Sequence, residues 1–209
     1  MIAHVQECIR RAEAGEGRLP ESVRTIPGMT GDKVRTFLNE LCSPDGWRHL
    51  EVGTFKGATL IAASHGNPGH FVGIDNFSQF EGEEARAALH DNLEAHPHPD
   101  RLFVEADCFS PEAAKTAVLR GPFDSFFYDG QHGGDSTQRA LEHHLGAMAS
   151  PFVFVIDDSK TEDVARSWES AKSHSPIRVL WETELRPVKD MHREWWWGLF
   201  VAVCEVVKC

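Results

Sequence analysis

The stretch His49-Leu50-Glu51-Val52-Gly53-Thr54-Phe55-Lys56-Gly57-Ala58-Thr59-Leu60-Ile61-Ala62-Ala63 decides the fold. A short apolar run carrying an acid leads into two glycines four apart, then into an apolar segment of helical composition, which predicts strand, tight turn and helix start in one piece. Gly53 can adopt backbone angles that a Cβ would penalise, and Gly57 lets helix and strand approach closely, so the free N–H groups of the helix start face the space above the strand. A dinucleotide fingerprint requires G-x-G-x-x-G, whereas Thr54 and Phe55 follow Gly53 and narrow the approach a pyrophosphate needs. Alone, the turn reads either as a cofactor cradle or as an ordinary connection between strand and helix.

The same alternation continues downstream. His70–Asp75, Leu102–Asp107, Phe123–Asp129 and Pro151–Asp158 are apolar runs of strand length. The helical stripes between them begin at Ala58 (to Ser64), at Gly82-Glu83-Glu84, at Ser110-Pro111-Glu112 and after Gly133-Gly134. Ser110 is placed as an N-cap with proline behind it, and Asp135 with Gln138 as a capping box. Val164, Trp168 and Ala171 share a face of a later helix, and Ile177–Leu185 and Trp195–Val207 read as two closing strands. Their connection, Arg186–Glu194, is too short and polar for a crossover helix, so these two are expected to pair antiparallel. His96-Pro97-His98-Pro99 reads as an exposed loop, and His143 and His144 as the rim of a surface helix. Upstream, Ile2, Val5, Ile9 and Ala12, then Val34, Phe37, Leu38 and Leu41, recur at helical spacing. The expected fold is α/β, a Rossmann-like doubly wound sheet of seven strands with the last antiparallel, plus N-terminal helices. One domain spans 1–209, with 1–45 as a helical packing layer or lid and 46–209 as the cofactor-binding core.

Composition narrows the function. With 209 residues, 41% apolar and 25% charged, the chain is long enough for one sizeable core. A net charge of −11 argues against a phosphate-backbone interface, which is basic, and favours a small-molecule substrate over nucleic acid. Cys8, Cys42, Cys108, Cys204 and Cys209 are scattered, odd in number and never C-x-x-C, the usage of a reducing cytoplasm rather than of a disulfide framework or zinc cluster. The first residues lack an apolar leader and no segment has the unbroken apolar length of a membrane span, so a cytoplasmic protein with no membrane partner is expected.

Five successive predicted strands end in acids: Glu51, Asp75, Asp107, Asp129, and Asp157 with Asp158. Parallel sheets bind ligands outside those ends, at the point where the strand order reverses. A single such acid is ordinarily a helix cap or a solvated turn; five in phase point to a site. Asp75, 24 residues after Glu51, sits where nucleotide-binding α/β folds place a carboxylate for ribose hydroxyls. Asp107, or its neighbouring backbone, is then beside the base.

In these residues the chain resembles the class I S-adenosylmethionine-dependent methyltransferases, from about Arg48 to the C-terminus. Glu51-Val52-Gly53-Thr54-Phe55-Lys56-Gly57 looks like their first motif, Asp75 followed by Asn76 like the ribose-binding acid, and Asp107-Cys108 like the adenine-contacting segment. Tyr128-Asp129-Gly130-Gln131-His132, with Val155-Ile156-Asp157-Asp158, resembles a group of small-molecule O-methyltransferases that includes antibiotic-sugar methyltransferases. In that group the matching aspartates hold magnesium and a neighbouring histidine or aspartate serves as base.

The resemblance therefore implies S-adenosylmethionine bound by Glu51, Gly53, Thr54, Gly57, Asp75, Asn76, Asp107, Cys108 and Asp129. It also implies a Mg2+ or other divalent cation on Asp129, Asp157 and Asp158, and catalysis by His132 with Asp129. Gln131 departs from the part of the group that has an aspartate base, and the base role passes to His132, whose alternative is to cap the next helix. Asp158 is either a cation ligand or the N-cap of the helix behind it. Trp195-Trp196-Trp197 is expected to straddle core and substrate-facing or subunit surface, which would make the protein a homo-oligomer in the second case. Adjacent strand ends lie roughly 5 Å apart, close enough for three carboxylates to share one hard cation. The implied reaction is methyl transfer to a hydroxyl of a small polar molecule. A metal-independent methyltransferase using His132, and a non-catalytic cofactor-binding or interaction module of the same fold, are the alternatives.

Overall fold

A computed structural model describes residues 1–207; Lys208 and Cys209 lie outside the described residues. In chain order the elements are α1 (Ile2–Ala14), α2 (Glu21–Arg24), α3 (Asp32–Leu41), β1 (Arg48–Val52), α4 (Ala58–Ser64), β2 (His70–Asp75), α5 (Gly82–Ala95), β3 (Arg101–Glu105), α6 (Pro111–Arg120), β4 (Phe123–Tyr128), α7 (Ser136–His144), β5 (Met148–Asp157), α8 (Glu162–His174), β6 (Ile177–Leu185) and β7 (Leu199–Val206). The seven strands form one sheet in the order β3-β2-β1-β4-β5-β7-β6. β1 pairs parallel with both β2 and β4, while β7 runs antiparallel between β5 and β6. The order reverses between β1 and β4, so the chain leaves their carboxyl ends in opposite directions and opens a crevice there.

Apolar residues on both faces of the central strands bury the sheet between two helical layers. One face, with Leu50, Val72, Phe126, Phe154 and Ile156, packs under α6, α7 and α8 through Ala113, Leu141 and Trp168. The other, with Phe71, Phe127, Val153, Val155 and Val201, packs under α1 and α3 through Val5, Val34, Phe37 and Leu38. The N-terminal helices thus form a packing layer, and the α2–α3 connection, Gly28-Met29-Thr30, also reaches the crevice.

One local expectation holds. Ser110 Oγ accepts the Ala113 N–H at 3.1 Å with Pro111 behind it. The four cysteines among the described residues are free thiols, and among those residues no helix is long and apolar enough to cross a membrane. Others are corrected. The short helix α2 is absent from the sequence reading because four residues carry no periodicity. The capping box does not form: Ser167 Oγ on α8 takes the Gln138 N–H at 3.0 Å, and the Gln138 side chain bonds Glu142 instead. His144 is buried against Phe126, 5.5 Å between rings, rather than at a rim, because α7 lies between α6 and α8. Trp195–Trp197 lie in turns before β7, not on a strand, because Trp196 (φ 53°) and Gly198 (φ 93°) turn the backbone there. Trp195 is nevertheless in the core and Trp197 is exposed.

Candidate active site

A cavity of about 450 Å³ lies over the carboxyl ends of β2, β1, β4 and β5. Its floor is the turn after β1. Gly53 has φ 90°, and a Cβ there would overlap the Asp129 carbonyl oxygen just past the end of the neighbouring β4, so only glycine lets the ends of β1 and β4 close up. Gly57, φ 84°, starts α4 and sits against Leu89 and Ile61. Between them Phe55 is also left-handed, at φ 48°, where the dinucleotide fingerprint would have glycine. Asp75 holds it: one carboxylate oxygen accepts the Phe55 N–H at 2.7 Å and the other the Phe77 N–H at 2.8 Å. Each oxygen keeps a lone pair for a further donor, as a ribose hydroxyl requires.

Ten of the twelve residues placed in the site from sequence line this cavity: Gly53, Thr54, Asp75, Asn76, Asp107, Cys108, Asp129, His132, Asp157 and Asp158. Gly57 shapes the turn behind it. Glu51 is fully buried in β1, its Oε1 accepting from the Thr59 hydroxyl at 3.0 Å, and it reaches the cavity only through Thr59. Burial pushes its carboxyl up to about 8. Asp107 and Asn76 are exposed, each ordering its own loop by accepting the N–H two residues on, from Phe109 and Ser78.

On the far side of the turn, β4 and β5 bring the other acids together. His132 stands between them, Nδ1 2.9 Å from Asp158 Oδ2 and Nε2 3.6 Å from Asp129 Oδ1. Asp158 therefore serves the imidazole rather than capping α8, whose N-cap is Thr161; it does so from a left-handed backbone, φ 56°. Burial, reinforced by Asp157 and Asp158, raises Asp129 well above the carboxylate range, and burial with Asp158 raises Asp157. Among the described residues no group of three or more His, Cys, Asp or Glu side chains is disposed to hold a metal ion together. The donor set itself is hard oxygen, and Asp157 Oδ1 is buried with no hydrogen-bond partner, a place where a cation or a proton belongs.

The mouth comes from parts of the chain that carry no motif: Gly28-Met29-Thr30, Ser78-Gln79-Phe80 and Trp196. Gly28 and Thr30 were missed from sequence; the only signal was the turn composition of Pro27-Gly28 and Gly31.

No family model and no curated protein matches this sequence. Solved structures do. An O-methyltransferase from Bacillus cereus in complex with SAH matches with a TM-score of 0.64 at 17% identity, over 97% of this chain and 91% of that one. Cofactor-bound Rv0187 from MTB matches with 0.64 at 19% identity, over 97% and 88%. The O-methyltransferase TomG from Streptomyces achromogenes, in complex with SAM, matches with 0.63 at 17% identity, over 98% and 90%. With its strand order, antiparallel β7 and glycine turn, the chain has the fold of the class I S-adenosylmethionine-dependent methyltransferases.

Proposed function

We propose that this protein is an enzyme that transfers a methyl group from S-adenosylmethionine to a hydroxyl of a small polar molecule. The observation that carries the reading is the placement of His132, between Asp129 and Asp158, in the same cavity as Gly53, Asp75 and Cys108. Gly53 leaves room for the cofactor's amino-acid end, and Asp75 offers acceptors to its ribose. Bound S-adenosylmethionine supplies a methyl group already activated by positive sulfur, so the protein must align the acceptor and remove one proton. His132 is the group suited to that removal: its Nδ1–H is engaged by Asp158, which leaves Nε2 as the proton acceptor. The acid-rich cavity and the net charge of −11 favour a small acceptor over nucleic acid, and the free thiols fit a cytoplasmic setting.

The finer reading adds a divalent cation on Asp129, Asp157 and Asp158, which would polarise the acceptor hydroxyl. The orphaned Asp157 Oδ1 and the raised Asp129 favour it. Calorimetric titration with S-adenosylmethionine tests the first reading; absence of binding up to about millimolar ligand, a free energy of only about 4 kcal/mol, overturns it. Labelled methyl transfer to a panel of hydroxylated and amino compounds separates oxygen from nitrogen acceptors, and binding without any transfer would favour a non-catalytic module. For the cation, Asp157→Asn is expected to remove magnesium-dependent turnover and keep cofactor binding. Equal activity in excess chelator leaves the metal-free enzyme.

A further inference from the structure

His49 and Glu51, two residues apart on β1, share a face of the strand and are both sealed from solvent. His49 Nε2 and Glu51 Oε2 lie 3.9 Å apart, and among the described residues neither atom has a hydrogen-bond partner. The other end of each group is occupied. Ser125 Oγ is 2.8 Å from His49 Nδ1 and also accepts the Trp47 Nε1–H at 2.8 Å; the Thr59 hydroxyl donates to Glu51 Oε1 and itself lines the cavity. Two unpaired buried atoms facing each other across a gap about 1 Å too long for a hydrogen bond are a contact waiting to close.

The charges around Glu51 have one sign. Asp75 from β2 and Asp129 after β4 act on it, the Cys42 thiol at the end of α3 lies within its field, and α4 contributes only the Thr59 hydroxyl and the Leu60 N–H. Among the described residues, no lysine or arginine joins them. Burial holds Glu51 up to about 8 and His49 down to about 3, so both are neutral near pH 7. A cation arriving above the turn changes that balance.

We propose that His49 is a positioning residue for Glu51, and that cofactor binding drives one proton off this pair while the imidazole changes tautomer to serve carboxyl and carboxylate in turn. The proposal rests on the S-adenosylmethionine reading. Without ligand, a shift of about 1 Å lets the Glu51 O–H donate to the lone pair on His49 Nε2, now 3.9 Å from Oε2, while His49 Nδ1–H donates to Ser125 Oγ. With the cationic ligand in place, Ser125 O–H donates to Nδ1 and Nε2–H donates to the Glu51 carboxylate. One proton leaves to solvent, and one remains on the imidazole, now on Nε2. S-adenosylmethionine carries a net positive charge that S-adenosylhomocysteine lacks, so it displaces more of this proton.

Calorimetric titration of the full chain near pH 7, in buffers of different ionisation enthalpy, measures the protons released. The expected result is close to one per S-adenosylmethionine, fewer with S-adenosylhomocysteine, and affinity tightening by about tenfold per pH unit up to the Glu51 midpoint. Glu51→Gln is expected to remove about one proton from the count, whatever Asp129 and Asp157 add. His49→Phe, which keeps an aromatic ring in the core, is expected to move the pH midpoint of affinity upward; a merely structural role would weaken binding equally at every pH. Heats that do not depend on the buffer, or an unchanged proton count in Glu51→Gln, overturn the proposal while leaving the cofactor reading intact. No heat at all at any pH removes both.

Discussion

His132 Nδ1 lies 2.9 Å from Asp158 Oδ2, and its other ring nitrogen, Nε2, is buried without a hydrogen-bond partner among the described residues. A histidine fixed through one nitrogen with the other unpaired has the arrangement of an oriented base. His132→Asn is therefore expected to lower kcat by about 10²- to 10⁴-fold, with the Kd for S-adenosylmethionine little changed. Asp158→Asn, which keeps the shape and loses the charge, is expected to cost about 10- to 100-fold. Steady-state kinetics with calorimetric Kd values check both. A His132 variant that turns over normally would remove this residue from the chemistry.

Gly53 is tested by comparison with a glycine of similar backbone angle elsewhere. At Gly53 a Cβ would overlap the Asp129 carbonyl, whereas at Gly66, φ 69°, it would meet nothing within 4 Å. Gly66→Ala pays only for the left-handed backbone, about 1–2 kcal/mol. Gly53→Ala adds a clash between two central strands, for a loss of about 3 kcal/mol or more, and it is expected to abolish cofactor binding. Urea unfolding at neutral pH measures the difference; equal losses would mean that β1 and β4 can separate without cost.

These contrasts also mark what was legible in the sequence. The alternation of apolar runs and helical stripes, ended by Gly53, Asp75, Asp129 and Asp157, identified the sheet and the edge where the cavity opens because backbone period and turn chemistry are local properties. Glu51 was read as an acidic tip facing the cofactor, yet it is the fourth residue of a buried five-residue strand, with Gly53 beyond it forming the cavity floor. A residue count cannot separate an acid at the strand end from one a step earlier. Trp195-Trp196-Trp197 has β-rich composition, but Gly198 and the left-handed Trp196 make it a turn, and that depends on the fit of Gly198 against the Ser159 hydroxyl. Gln138 was likewise matched to Asp135 by spacing, when Ser167, 29 residues away, takes its N–H. Contacts between distant elements leave no mark on local pattern.

Glu51 also makes stability depend on pH. Its folded carboxyl titrates at about 8 against 4.5 in the reference state, so the folded chain binds the extra proton between those values. Its stabilising contribution is complete below about pH 4.5 and is lost as pH rises through 8. His49 acts at the other end. Its folded value of about 3 against 6.5 gives stability that is present above pH 6.5 and lost as pH falls toward 3. Glu51→Gln is expected to match the parent near pH 5 and to exceed it by a few kcal/mol at most above pH 8. Melting curves across that range decide it, and parallel curves would mean Glu51 is already ionised in the folded protein.

Trp195 ties the N-terminal layer to the loop that carries the cavity wall. Its ring packs edge-on to Phe37, 6.1 Å between centroids, its Nε1–H donates to Glu13, and Lys33 pairs with the other oxygen of the same carboxylate. The Asp32 N–H reaches the His192 carbonyl at 2.9 Å, closing a second link between α3 and the β6–β7 connection. Trp196, the next residue, lines the cavity. Trp195→Ala is expected to cost about 3–5 kcal/mol, whereas Trp195→Phe keeps the ring contact and loses one hydrogen bond, about 1 kcal/mol. Since Trp195 sets where Trp196 stands, Trp195→Phe should raise the acceptor KM with little effect on the Kd for S-adenosylmethionine, which the proposed function assigns to the β1 turn instead. Trp196→Ala should raise the same KM without loss of stability. If neither variant moves the acceptor KM, the acceptor does not reach this side of the cavity.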